Sequence, residues 1–234
     1  FKPNMILMVP LMIETFAKKL EDVKDLPEKV VKEAVFGSQF HTICSGGAYL
    51  NPDYIELFER FGIQILQGYG MTECSPVIST TVAWNVKKNS VGQLLPNCEA
   101  KTVDGELWVR GSSVMQGYYK MPEETKTALK DGWLCTGDLG YVDEERFIYL
   151  TGRKKNLIIT KNGENVSPEE LENKLSSSRL VQEVLVREAK GVIEAEIYPD
   201  EEYAKKQGLE REEEVRVELQ KLIDEYNQGA PAYK

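Results

Sequence analysis

Three short clusters stand in a fixed order along the chain: Gly68-Tyr69-Gly70-Met71-Thr72-Glu73, then Thr136-Gly137-Asp138, then Gly152-Arg153-Lys154-Lys155. Each suits one part of a nucleotide. An aromatic ring between glycines can stack on a purine, and the glycines let backbone approach a ligand closely. An aspartate in a turn can accept hydrogen bonds from two ribose hydroxyls, each bond to a charged group contributing about 1.5–3 kcal/mol. An arginine beside a glycine can reach a phosphate or the ribose edge. Singly, each has a plainer reading: a strand-to-loop turn with a capping threonine, a Gly-Asp turn on a small sheet, a basic turn on a solvated surface. Their occurrence together, in this order, favours a nucleotide site. Two weaker segments join them. Ser45-Gly46-Gly47-Ala48 offers small residues that leave room for a ligand, although a Gly-Gly after a strand is most often only a turn. Asn162-Gly163-Glu164-Asn165-Val166 reads first as a tight hairpin turn.

Composition narrows the classes. At 234 residues the chain can bury a sizeable core in one or two domains, and 41% hydrophobic with 29% charged residues describes a soluble globular protein. A net charge of -9 argues against a nucleic-acid groove, which needs clustered Lys and Arg. Cys44, Cys74, Cys98 and Cys135 form no C-x-x-C motif, and their wide spacing suits reduced thiols in a cytoplasmic protein. The single histidine, His41, is too few for a His-rich metal site and reads as a satisfied residue at a strand start. The apolar run Met5 to Ile13 is short and carries Pro10, so neither a membrane span nor a signal peptide is expected there.

The clusters need elements to hold them. Residues 1–85 read as α/β: a short apolar run at Met5 to Val9 that suits a buried strand, then a helix with Pro10 in its first turn and Ile13, Phe16, Ala17, Leu20 and Val23 at helical spacing. A second strand, Phe40 to Cys44, runs into Ser45-Gly46-Gly47. A helix capped by Asn51-Pro52 follows, and a third strand, Ile63 to Leu66, runs into Gly68-Tyr69-Gly70. Alternation of this kind predicts a parallel sheet with ligands beyond its carboxyl ends. Residues 86–154 read as short antiparallel strands, Glu106 to Arg110, Trp133 to Cys135 and Arg146 to Leu150, with an Asp104-Gly105 hairpin turn. Residues 155–234 read as a third region. It has a strand at Leu157 to Thr160, a capping box at Ser167-Pro168-Glu169-Glu170, strands at Val181 to Arg187 and Val192 to Tyr198, and a last helix from Glu210 to Tyr226. The expected fold class is therefore α/β plus α+β: the end part of a large α/β domain with a small antiparallel β-barrel, followed by a small α+β C-terminal domain.

The clusters, taken together, resemble the adenylate-forming (AMP-binding) superfamily of acyl-CoA synthetases, peptide-synthetase adenylation domains and luciferases. The opening Lys2-Pro3-Asn4 and Gln67 to Pro76 are most similar to long-chain fatty acid–CoA ligases; peptide-synthetase domains usually carry Pro where Met71 stands. The resemblance implies an ATP-dependent ligase that makes an acyl-adenylate and transfers the acyl group to CoA, with ATP, Mg2+, CoA and a fatty acid as the small-molecule partners. It implies adenine and acyl pockets lined by Gly46, Gly47 and Ala48. It implies a nucleotide loop of Gly68, Tyr69, Gly70, Met71 and Thr72, with Tyr69 on adenine, Thr72 on the α-phosphate and Glu73 on the metal. Asp138 would hold the ribose, Arg153 the ribose or phosphate, Lys155 would be the hinge between large and small domains, and Gly163 would border the thioester channel.

Two features of the superfamily do not occur in these residues. The Ser/Thr/Gly-rich phosphate loop is one. The catalytic lysine in its Gly-Lys setting is the other: Ala230-Pro231-Ala232-Tyr233-Lys234 resembles the stretch shortly before it, and Lys234 takes no role. With Phe1 in first place, the reading expects the C-terminal portion of a longer enzyme and expects these residues alone to be inactive. An acyl–acyl carrier protein ligase and a non-catalytic nucleotide-binding fragment are the alternatives. Acyl chain length, oligomeric state and peripheral membrane association of a full-length enzyme stay open.

Overall fold

The computed structural model describes residues 2–23 and 25–229; the ending Ala230 to Lys234 lies outside the described residues, as does the end of the third region. Contacts divide the chain into two units, Phe1–Leu150 and Thr151–Lys234.

The first unit opens with β1 (Met5–Met8), α1 (Pro10–Glu21), α2 (Glu28–Val35), β2 (Thr42–Gly46), α3 (Pro52–Arg60), β3 (Gln64–Gly70), β4 (Val77–Thr80) and β5 (Gln93–Leu94). The five strands form one sheet in the order β1-β2-β3-β4-β5. β1, β2 and β3 are parallel, as the strand–helix alternation predicts, whereas β4 and β5 add antiparallel. α1 forms because Pro10 pre-sets its first turn and because Ile13, Ala17 and Leu20, spaced on one face, are all buried. Asn51 caps α3 as expected, its side chain accepting from the Asp53 N–H at 2.9 Å. These helices pack on the sheet through Phe40, Ile43, Phe58, Ile63 and Ile65. β1 is not the buried strand its apolar run suits: it lies at the sheet edge, paired on one side only, with Leu7 80% exposed and Met5, Val9, Leu11 and Met12 exposed beside it.

The same unit continues with β6 (Cys98–Val103), β7 (Glu106–Gly111), α4 (Pro122–Ala128), β8 (Leu129–Lys130), β9 (Trp133–Val142) and the first half of β10 (Ile148–Arg153), whose residues from Thr151 on belong to the second unit. They form a second sheet, β10-β9-β7-β6 with β8 on β9, curled into a half-barrel. Asp104 and Gly105 both take positive φ, the backbone that a two-residue hairpin between β6 and β7 requires. Leu107, Val109, Leu134 and Ile148 from this sheet share a core with Tyr69 and Ile78 of the first and with Cys74 from the turn between β3 and β4.

The second unit holds β11 (Ile158–Ile159), β12 (Asn165–Val166), α5 (Pro168–Leu175), β13 (Val181–Ala189), β14 (Val192–Pro199), α6 (Glu201–Lys206) and α7 (Glu212–Gly229). β11 pairs with β12 and β13 with β14, both antiparallel. The core comprises Val166, Leu171, Leu175 and Val186, with Leu222, Ile223 and Tyr226 of α7 against it. The sequence differs from its expected local form at two places. The turn at Asn162-Gly163 is a five-residue loop closed by Thr160 and Glu164, with only Gly163 left-handed. The expected capping box at Ser167 does not form: Ser167 Oγ donates to Glu169 at 2.8 Å and caps no backbone N–H. Short helices α2, α4 and α6 were not expected, because each buries one residue or none.

Among the described residues no helix is long and apolar enough to cross a membrane.

Candidate functional site

β2 and β3 run parallel and in register, so Gly46 lies opposite Gly68 at their carboxyl ends. The glycines are required there by close approach: a Cβ on Gly46 would lie 2.7 Å from the Gly68 carbonyl oxygen. Gly47 turns out of the strand with φ +89, and Ala48 is exposed just beyond it. Next to them Ser45 Oγ is buried with no hydrogen-bond partner among the described residues. The two glycine-rich segments, separate in sequence, thus form one small-residue rim.

From that rim β3 enters the loop. Gly70 pairs with Val77, and a Cβ on Gly70 would meet the Pro76 carbonyl at 2.0 Å. The Met71 N–H donates to Pro76 O at 2.8 Å, which closes the loop over a 3₁₀ turn at Thr72–Cys74. Thr72 is exposed at its start. Glu73 is half-buried, and its carboxylate accepts from the Tyr118 hydroxyl at 2.7 Å while its carbonyl accepts from Met115 N–H at 2.8 Å. The Glu73 hydrogen bond, then burial, pushes the Tyr118 phenol above its ordinary pKa.

Tyr69 and Asp138, 69 residues apart, meet: the Tyr69 hydroxyl donates to Asp138 Oδ2 at 2.6 Å. Both are 8% exposed. The Tyr69 ring packs in the core between the two sheets, with its hydroxyl end on the carboxylate. A carboxylate has about four acceptor positions, so Tyr69 and two ribose hydroxyls can share Asp138. The Thr-Gly-Asp turn is itself tied down. Thr136 Oγ1 donates to Leu107 O at 2.7 Å and accepts from the Asp138 N–H at 3.1 Å, and the Gly137 N–H donates to Glu106 Oε1 at 2.9 Å.

The remaining candidates belong to the second unit. Arg153 ends β10 and is exposed; Lys155 sits exposed in a 3₁₀ turn, Lys154–Asn156; Gly163 is left-handed in the β11–β12 loop. His41, read as a satisfied residue, has Nδ1 within 2.7 Å of Thr42 Oγ1.

For a magnesium ion the fit is partial but chemically sound. Among the described residues no three His, Cys, Asp or Glu cluster around one point. Mg2+ bound with a nucleotide needs only one or two carboxylates, since phosphates and water complete its shell. Glu73, beside the exposed Thr72, is such a carboxylate.

Glu106 and Tyr118 also belong to the site and are not legible in the sequence. Both act across 31 and 45 residues respectively, so no local spacing announces them. The one signal for Glu106 is its place as the first strand residue after the Asp104-Gly105 turn.

Residues 1–119 match the AMP-binding enzyme family, and residues 155–234 match the AMP-binding enzyme C-terminal domain. A long-chain-fatty-acid–CoA ligase of Mycobacterium bovis is 39% identical over 171 residues, 72% of this chain and 28% of that protein. Luciferin 4-monooxygenase of Photinus pyralis is also 39% identical, over 189 residues, 74% of this chain and 32% of that protein. Among solved structures, o-succinylbenzoate coenzyme A synthetase of Bacillus subtilis with ATP and a magnesium ion aligns at a TM-score of 0.67 and 33% identity, over 84% of this chain and 42% of that one. This chain spans about a third of the length of those two curated relatives.

Proposed function

The chain belongs to the AMP-binding enzyme family, and from that premise we propose that it is the nucleotide-holding and small-domain portion of an ATP-dependent fatty acid–CoA ligase. The observation that carries the reading is the 2.6 Å bond between Tyr69 and Asp138, which joins two of the three sequence clusters at one place.

The reaction has two halves. A fatty acid carboxylate oxygen attacks the α-phosphorus of ATP and pyrophosphate leaves, giving an acyl-adenylate. The CoA thiolate then attacks the acyl carbonyl, the acyl–oxygen bond breaks, and AMP leaves with a thioester formed. Asp138 holds the ribose hydroxyls. The small-residue rim of Gly46, Gly47, Ala48 and Gly68 gives the nucleotide room against backbone, and Tyr69 flanks the base. Thr72 donates to the α-phosphate. Glu73 is the carboxylate that would hold magnesium, which would supply positive charge to offset that of the phosphates. Arg153 contacts ribose or phosphate, and the small domain turns about Lys155 to bring the Gly163 loop to the thioester step. The fatty acid preference draws on the long-chain ligases among the relatives and on Gln67 to Pro76; the equal identity to a luciferin enzyme shows why an acid panel is needed.

In the full-length enzyme, Asp138→Ala is expected to raise the ATP half-saturation at least roughly tenfold, the loss of one or two charged hydrogen bonds. An unchanged ATP dependence overturns the ribose role. Turnover of aromatic acids in preference to every fatty acid offered overturns the substrate class.

A further inference from the structure

The β7–β9 ladder breaks at the turn that carries Asp138. Trp108 faces Cys135, but Glu106 faces Leu139, so two steps along β7 match four along β9. Thr136, Gly137 and Asp138 thus stand against Leu107 alone, two residues in excess. They form a bulge, and a bulge re-aims the side chains it contains. Gly137 takes φ +72 there, which a β-carbon would disfavour.

An extended strand resumes on either side, so something must hold the bulge open. Glu106 does so. It is only 5% exposed, and a buried carboxylate is costly unless hydrogen-bonded. Its Oε1 takes the Gly137 N–H at 2.9 Å, a bond to the peptide unit directly before Asp138. The period-two pattern of Glu106, Leu107, Trp108 and Val109 sets Glu106 on the same face as half-buried Trp108, opposite the face of the buried core residues Leu107 and Val109. Thr136 cannot substitute for it: its hydroxyl proton goes to Leu107 O and its lone pair to the Asp138 N–H.

We propose that Glu106 is the positioning residue for ribose recognition: by pinning Gly137 it aims the Asp138 carboxylate and thereby sets the preference for ATP over 2′-deoxy-ATP. This rests on the reading of Asp138 as the ribose-binding group. Glu106 touches no substrate; it acts through the backbone of the bulge.

The test compares wild type, Glu106→Ala and Glu106→Gln in the full-length enzyme, each checked for folding by thermal melting. The readout is the ratio of kcat/KM for ATP to that for 2′-deoxy-ATP in pyrophosphate exchange. A purely structural role lowers the melting temperature and leaves that ratio alone. The expected result is a wild-type preference for ATP that falls roughly tenfold in Glu106→Ala, one charged hydrogen bond's worth, and survives in Glu106→Gln, whose carbonyl still accepts from Gly137. A folded Glu106→Ala with the wild-type ratio overturns the proposal. A wild type that uses both nucleotides equally overturns the reading of Asp138 instead, and the proposal with it. If Glu106→Ala does not fold, Glu106→Asp replaces it, its carboxylate one methylene short of Gly137, with an unchanged ratio again counting against the proposal.

Discussion

A phenol that donates to a carboxylate gives up that bond when it ionises, so the bond holds the proton on. Tyr118 is such a phenol, and its partner Glu73 is the first cause of its raised pKa, with burial second. Glu73→Gln should bring the Tyr118 titration back towards the ordinary value of about 10. A tyrosine-labelled NMR titration reads this directly; an unmoved Tyr118 signal would mean that burial alone sets its pKa. Nearby, burial first, then Cys98 and Glu73, push the Cys74 thiol up to about 12, so it stays protonated at neutral pH and is no nucleophile. At this scale the sequence showed which residue types were present but not which touched. Gly68 to Glu73 and Thr136 to Asp138 are local strings and were readable as such. Glu106 and Tyr118 hold those strings in place from distant strands and loops, and their roles exist only once the half-barrel closes on the loop. Tyr69 was expected to offer a ring face to a base; the geometry shows the ring packed among core residues and its hydroxyl end on the ribose candidate, Asp138.

Elements keep their shape through contacts that the same local strings did not announce. The start of α5 is the clearest case. Ser167 and Asn156 both donate to Glu169, as does the Arg153 backbone N–H, and a Cβ on Gly152 would lie 2.1 Å from Ser167 Oγ. Burial opposes ionisation of Glu169, but the hydrogen bonds from Asn156, from its own backbone, from Ser167 and from Arg153 outweigh it and hold its carboxyl below the usual range. The folded pKa is thus depressed below an unfolded value of about 4.3, so the stabilisation is full above that pH and is lost as pH falls through the folded value. Melting of the second unit between about pH 5 and pH 3 should therefore fall more steeply in wild type than in Glu169→Gln. Equal slopes would remove Glu169 as the cause. Gly152→Ala should destabilise the same unit by about 2 kcal/mol or more, through the clash and the positive φ together. The elements themselves were largely readable: β1 to β3, α1, α3, β13, β14 and α7 follow apolar periodicity strong enough to show without tertiary context. α2, α4 and α6 did not show because so little of each is buried, and the Ser167 cap failed because Glu169 competes for its hydroxyl.

For the whole molecule the two units pose a question of motion rather than of packing. Each has its own hydrophobic core, and the segment from Gly152 to Asn156 is tied within the second unit to α5 through Glu169. Lys155 lies inside that segment, in a single 3₁₀ turn, the kind of element-terminal position where φ and ψ can change without breaking a ladder. If the second unit must turn between the adenylate and thioester steps, a residue with fixed φ at 155 should block the turn without touching the nucleotide. Lys155→Pro in the full-length enzyme is therefore expected to leave pyrophosphate exchange within about threefold of wild type while thioester formation from preformed acyl-adenylate falls more than roughly tenfold, the signature of a conformational rather than a chemical defect. The asymmetry is what matters: a Pro that merely unfolded the 3₁₀ turn would lower the melting temperature and harm both halves alike. Lys155→Ala serves as the control, since it removes the charge but keeps φ free, and it should behave as wild type in both half-reactions. Equal loss of both halves in a folded Lys155→Pro enzyme, or a thioester defect as large in Lys155→Ala, would place the pivot elsewhere and leave the basic turn as a solvated surface feature.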